Sequence, residues 1–135
     1  MKRTPIYLLI SLMFISCSLF NSDNEGDLTI ELNPDQVQIE ENPTLVIENM
    51  TATTIRYHCG HTVEVYNNGE WETATTTGCA NSFPVVIEPN DSHSIPLSLH
   101  IEETGTYRAI IFISVEDGDD WVAEQRVTNS VQVTE

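Results

Sequence analysis

From Leu28 to the end of the chain, apolar residues recur at every second position in short runs, and turn residues break each run. Ile95, Leu97, Leu99 and Ile101 alternate with Ser94, Pro96, Ser98 and His100, and Leu28, Ile30 and Leu32 alternate with Thr29 and Glu31. A side-chain period of two belongs to a strand with one face buried. The spacing of the turn signals, every 8–12 residues, belongs to a chain of many short strands. Nowhere do apolar residues fall at helical spacing over as much as a ten-residue stretch, so the expected class is all-β.

The individual runs predict a strand order. Val37 and Ile39 follow the turn Asn33-Pro34-Asp35, and Leu45, Val46 and Ile47 form a compact run ending at Glu48-Asn49. Ile55, Tyr57 and Cys59 point one way while Arg56 and His58 point the other, and Val63 and Val65 continue the pattern. Asn67-Asn68-Gly69 predicts a hairpin, because Asn and Gly accept positive φ, and Trp71 opens the next strand. Phe83, Val85 and Ile87 precede the turn Glu88-Pro89-Asn90-Asp91. Pro96 lacks an amide hydrogen for a ladder bond, which predicts an edge strand or a bulge there. Tyr107 to Glu116 is apolar on both faces through Ile110 and Phe112, which predicts a central strand. Asp117-Gly118-Asp119-Asp120 closes a hairpin into a last strand from Trp121 to Val133.

The first sixteen residues are organised differently. Lys2 and Arg3 form a positive start, Ile6 to Ile15 form a short apolar run, and Ser16 precedes Cys17. That is the layout of a secretory leader, and the run falls far short of the ~20 residues a spanning helix needs. Phe14-Ile15-Ser16-Cys17 resembles the bacterial lipobox, with Phe14 where leucine is usual. The resemblance implies cleavage before Cys17 and acylation of that cysteine, which anchors the chain to a lipid bilayer. Each buried methylene contributes about 0.8 kcal/mol, so two or three acyl chains hold durably. The expected organisation is a lipoprotein signal peptide over 1–16, a lipidated cysteine and flexible acidic tether over 17–27, and one domain over 28–135.

Cleavage sharpens two properties. Two of the five basic residues, Lys2 and Arg3, leave with the leader, while all 21 acidic residues remain, so the mature formal charge is −18. Arg56, Arg108 and Arg126 are the remaining cations. Such a chain repels phosphate, which excludes nucleic acid as a partner. With Cys17 committed to lipid, Cys59 and Cys79 remain as a pair in an oxidising compartment, where a disulfide is expected.

Seven to nine antiparallel strands in about 108 residues have the size and density of an immunoglobulin-like β-sandwich. Glu103-Thr104-Gly105-Thr106-Tyr107-Arg108-Ala109 resembles the tyrosine corner of such domains, which implies that the Tyr107 hydroxyl bonds back to the backbone upstream. Ala109 stands where antibody domains carry their second cysteine, so Cys59–Cys79 would clip a strand to a following loop. The whole domain is similar to a family of bacterial immunoglobulin-like domains found in secreted proteins and lipoproteins. The matching segments are Val46-Ile47-Glu48-Asn49 before Thr51, Gly69-Glu70-Trp71, Glu88-Pro89-Asn90-Asp91-Ser92 and Gly105-Thr106-Tyr107-Arg108. Asn90 stands where that family has glycine. The chain is also similar to the immunoglobulin-like bacterial proteinase inhibitors of the BsuPI type, which insert loops into a protease cleft.

The chemistry-bearing residues form no catalytic set. His58, Cys59, His61 and Cys79 are zinc-ligand types, but alternation places His58 and Cys59 on opposite faces and the cysteines are expected to be oxidised. Asp117, Asp119 and Asp120 are calcium-ligand types on a loop shorter than an EF-hand, and a solvated hairpin tip is the expectation, with no metal and no cofactor. Asn49-Met50-Thr51 and Asn90-Asp91-Ser92 match the glycosylation sequon by chance. Trp71 and Trp121 are expected in the core. The functional expectation is a non-enzymatic binding or structural accessory module on the bacterial cell envelope, at the outer membrane, cell surface or periplasmic face, with an unidentified protein partner. The alternative expectation is a proteinase inhibitor.

Overall fold

The computed structural model describes residues 26–80 and 82–135. The leader, Cys17 and the tether up to residue 25 lie outside the described residues. The described chain forms ten strands in two sheets packed face to face. They are β1 (Leu28–Asn33), β2 (Gln36–Gln38), β3 (Thr44–Asn49), β4 (Ile55–Asn67), β5 (Glu70–Thr77), β6 (Val85–Ile87), β7 (Asp91–Pro96), β8 (Gly105–Asp117), β9 (Asp120–Val127) and β10 (Val131–Thr134). Ten strands exceed the seven to nine expected from the sequence, and β2 pairs with β10 in parallel, where antiparallel pairing was expected throughout.

The smaller sheet has the order β1-β3-β7. The larger is built on the long antiparallel pair β4–β8, with β5 and β6 sharing the free edge of β4 and β9 and β10 sharing that of β8. The chain leaves the small sheet after Asn33 and joins the large one at Gln36, so the amino-terminal strand contributes to both layers. Leu32, Leu45 and Ile47 from the small sheet meet Ile55, Tyr57, Val63, Ala109, Ile111 and Ile113 from the large one in a single core. Ala109 is fully buried, and the small side chain fits the centre of the sandwich.

Local chemistry accounts for the turns. Asn68 and Gly69 both have positive φ, as a two-residue type I′ loop between Asn67 and Glu70 requires. Asn90 has φ +64°, the left-handed conformation that Asn tolerates best among residues with a side chain, at the position where the resemblance implied glycine.

Two expected strands differ. The alternation Ile95–Ile101 does not continue as a strand beyond Pro96. β7 ends there at the sheet edge, while Leu97 and Leu99 stay buried in an irregular segment held by the Leu97 amide on the Pro43 carbonyl at 2.8 Å. The segment Trp121–Val133 is two strands. Val127 opposes Ile110 and Val131 opposes Tyr107, so Thr128, Asn129 and Ser130 span a gap of two residues on β8. Thr128 fills that gap: its hydroxyl accepts from the Ala109 amide at 3.0 Å. Asn129 reaches across to β1, accepting from the Leu32 amide and donating to its carbonyl.

Candidate interaction surface

The Tyr107 hydroxyl donates to the Glu103 carbonyl at 3.0 Å, which ties the start of β8 to the crossover before it. A side chain at Gly105 would place its Cβ 3.2 Å from the Tyr107 ring, so the absence of one lets the ring lie flat against the chain. Burial raises the Tyr107 hydroxyl above its usual pKa, and the neighbouring Glu103 carboxylate adds to the effect. Burial alone raises Tyr57, whose hydroxyl has no hydrogen-bond partner among the described residues.

Cys59 and Cys79 are joined by a disulfide, with Cα atoms 6.0 Å apart. Cys59 and Gly60 are the extra residues of a bulge, since His58 pairs with Phe112 and His61 with Ile111. The bond clips this bulge to the chain just beyond β5, and oxidation removes both sulfurs as metal ligands. His58 and His61 are also committed elsewhere. The His58 Nε2 lies 2.8 Å from the Ser114 hydroxyl, while buried His61 donates through Nε2 to the Ser98 carbonyl at 2.9 Å. Asp117, Asp119 and Asp120 stand exposed around Gly118 at the β8–β9 hairpin tip. Among the described residues, no three His, Cys, Asp or Glu side chains gather in metal-holding geometry.

Asn49 is fully buried. Its amide donates to the carbonyls of Thr53 and Ile87 while its oxygen accepts from the Thr51 amide and hydroxyl. The first sequon asparagine is therefore a structural cross-tie between β3 and β6.

The tryptophans overturn a sequence expectation. Neither is in the core; both are half-buried on the outer face of the large sheet. The Arg108 guanidinium lies 4.1 Å from the Trp71 ring centre and the Arg56 guanidinium 3.6 Å from that of Trp121. Tyr66 packs on Trp71 at 5.1 Å, and the Arg108 Nε donates to Glu64 at 2.6 Å. Directly paired residues share a sheet face, so the register assembles this surface. Val86, Arg56, Ser114 and Ala123 form one row; His58, Phe112 and Gln125 the next; Thr62, Ile110 and Val127 a third; Glu64 and Arg108 a fourth. Val86, Val127 and Tyr66 are each about half exposed.

The outer face of the small sheet is different. Its register positions carry Thr29, Glu31, Thr44, Val46, Glu48, Ser92 and Ser94, with no aromatic residue. One outer face is thus polar and acidic, and the other aromatic, aliphatic and arginine-bearing. Sequence reading found Trp71 and Trp121 but not this face, because strand alternation cannot say which strands will lie side by side.

Phe83 stands apart, 93% exposed in the connection between β5 and β6. That connection is held at both ends to β4, through the Cys79–Cys59 bond and through the pairing of Val85 with Tyr57.

A two-sheet sandwich with a tyrosine corner and a split first strand defines an immunoglobulin-like module. The chain belongs to the family described as bacterial Ig-like domain, which matches residues 24–129. Among solved structures it is similar to the ASH/PapD-like domain 7 of human CEP192, at 13% identity and a TM-score of 0.42, covering 79% of this chain and 86% of that one. It is also similar to a protein from Archaeoglobus fulgidus, at 13% identity and a TM-score of 0.33, covering 82% and 96% respectively. No curated protein matches the chain.

Proposed function

We propose that the protein is a lipoprotein of the bacterial cell envelope, held to a membrane through acylated Cys17, and that its Ig-like domain is a non-enzymatic binding module. The observation that carries the reading is the contrast between the two outer sheet faces. Tryptophan, tyrosine and arginine are the residue types that dominate binding energy at protein interfaces, and they are gathered here on one face. The anchor rests on the lipobox. Mass spectrometry of the mature protein is expected to find an acylated cysteine at its start; an unmodified amino terminus elsewhere would remove the anchor. For the binding face, Val86→Asp and Val127→Asp are expected to strip co-purifying protein from detergent-solubilised membranes, while Ser94→Asp on the opposite face retains it. Equal recovery with all three would count against the face.

A second reading, proteinase inhibition, is supported by Phe83. A protruding aromatic side chain on a loop tied down at both ends loses little freedom on entering a hydrophobic pocket. Pro84 follows it, and a bond to proline nitrogen resists serine endopeptidases. Addition of the purified protein is expected to slow an endopeptidase that cleaves after phenylalanine, and Phe83→Ala to abolish the effect. Undiminished activity across a panel of such enzymes sinks this reading.

A further inference from the structure

The outward-facing charges of the large sheet are Arg56, Glu64, Arg108 and Glu116, two of each sign. In a mature chain of formal charge −18, this face is therefore locally neutral. We infer that its partner is a second copy of this chain, docked face to face through Ile110, Phe112, Val127, Val86 and the two arginine–tryptophan stacks. The inference rests on the binding-module reading and names its partner.

The charge and the stacking on this face select that occupant. A basic protein would find its complement on the opposite face, which presents Glu31 and Glu48, not on the neutral one. A sugar ring needs an open indole face, and guanidinium groups lie over Trp71 and Trp121. A second copy meets neither obstacle: its own neutral face avoids the repulsion that its acidic body would create anywhere else, and a two-fold axis sets that one face against itself.

The area is also sufficient. Four to five strands at about 4.8 Å spacing, over about 33 Å of β8, make roughly 630–790 Å² per copy and about 1,300–1,600 Å² for the pair, within the range of specific interfaces. Attachment of both copies to one membrane would raise their effective concentration further.

Sedimentation velocity of the mature protein in density-matched detergent tests this across micromolar concentrations at low and high salt. A dimer is expected, and it should tighten as salt rises, because screening relieves repulsion between the two acidic bodies. Val127→Asp and Val86→Asp sit at half-exposed positions that the fold tolerates, as circular dichroism would check. Each is expected to raise the dimer dissociation constant roughly tenfold or more, while Ser94→Asp leaves it unchanged. A monomer under all conditions overturns the inference, as does a dimer indifferent to both valine variants or one that loosens as salt rises. A monomer that still loses a co-purifying membrane protein on Val127→Asp removes only the second copy and keeps the binding face.

Discussion

Single residues hold this sandwich at points its ladders do not reach. Tyr107 pins the crossover through one hydroxyl bond, and a bond of this kind contributes about 1 kcal/mol. Tyr107→Phe is therefore expected to lower unfolding stability by about that much near neutral pH, measured by urea denaturation. The folded state holds the Tyr57 and Tyr107 protons more tightly than the unfolded chain. Their contribution is intact below about pH 10 and is lost as pH rises through the raised values. The gap between Tyr107→Phe and the wild type should accordingly narrow above pH ~10, and a constant gap would contradict the burial argument. Asn49 carries more, since its loss removes the side-chain partner of the buried Ile87 carbonyl and of the Thr51 amide together. Asn49→Ala is expected to cost about 2 kcal/mol in the same assay.

At the scale of elements, β4 is the strand on which most of the large sheet depends. It pairs with β8 along one edge and with β5 and β6 along the other, and its bulge receives the disulfide. Closing a segment with a sequence separation of 20 stabilises by about 3 kcal/mol through the entropy of the unfolded chain. Reduction, or Cys59→Ser with Cys79→Ser, should lower stability by about that amount while far-UV circular dichroism keeps its β signature, because the core lies between the sheets and not at the bond. Complete loss of structure on reduction would show the bond to be a condition of folding. Alternation correctly placed Leu97 and Leu99 indoors, yet β7 stops at Pro96. Burial follows side-chain pattern, whereas a ladder needs an amide on both strands: Leu97 donates to the Pro43 carbonyl, but Pro43 has no amide to return the bond.

The whole molecule combines a modest core with heavy like charge. The chain carries 21 acidic against five basic residues, and self-repulsion of this kind weakens the compact state. Raising salt from low to moderate concentration is expected to move the urea midpoint upward. A midpoint that falls would mean that Arg108–Glu64 and the other attractive pairs outweigh the repulsion. The family match spans residues 24–129 and so holds β1 to β9, while β10, with buried Val131 and Val133, lies beyond it.

The sequence by itself determined the class of fold, the buried face of most strands and the Asn68-Gly69 hairpin. All three follow from neighbours in the chain: the period of the apolar residues and the φ angles that Asn and Gly accept. The motif containing Tyr107 was equally legible, because its hydrogen bond closes over four residues. Only the tertiary structure decided where the tryptophans lie, that the last strand breaks at Thr128, and that Arg56, Arg108, Phe112 and Val127 share one face. Those facts depend on which strands become neighbours and in what register, and a one-residue slip in register would move every side chain to the other side. Alternation tells which residues leave water; pairing across the sheet decides what they build together.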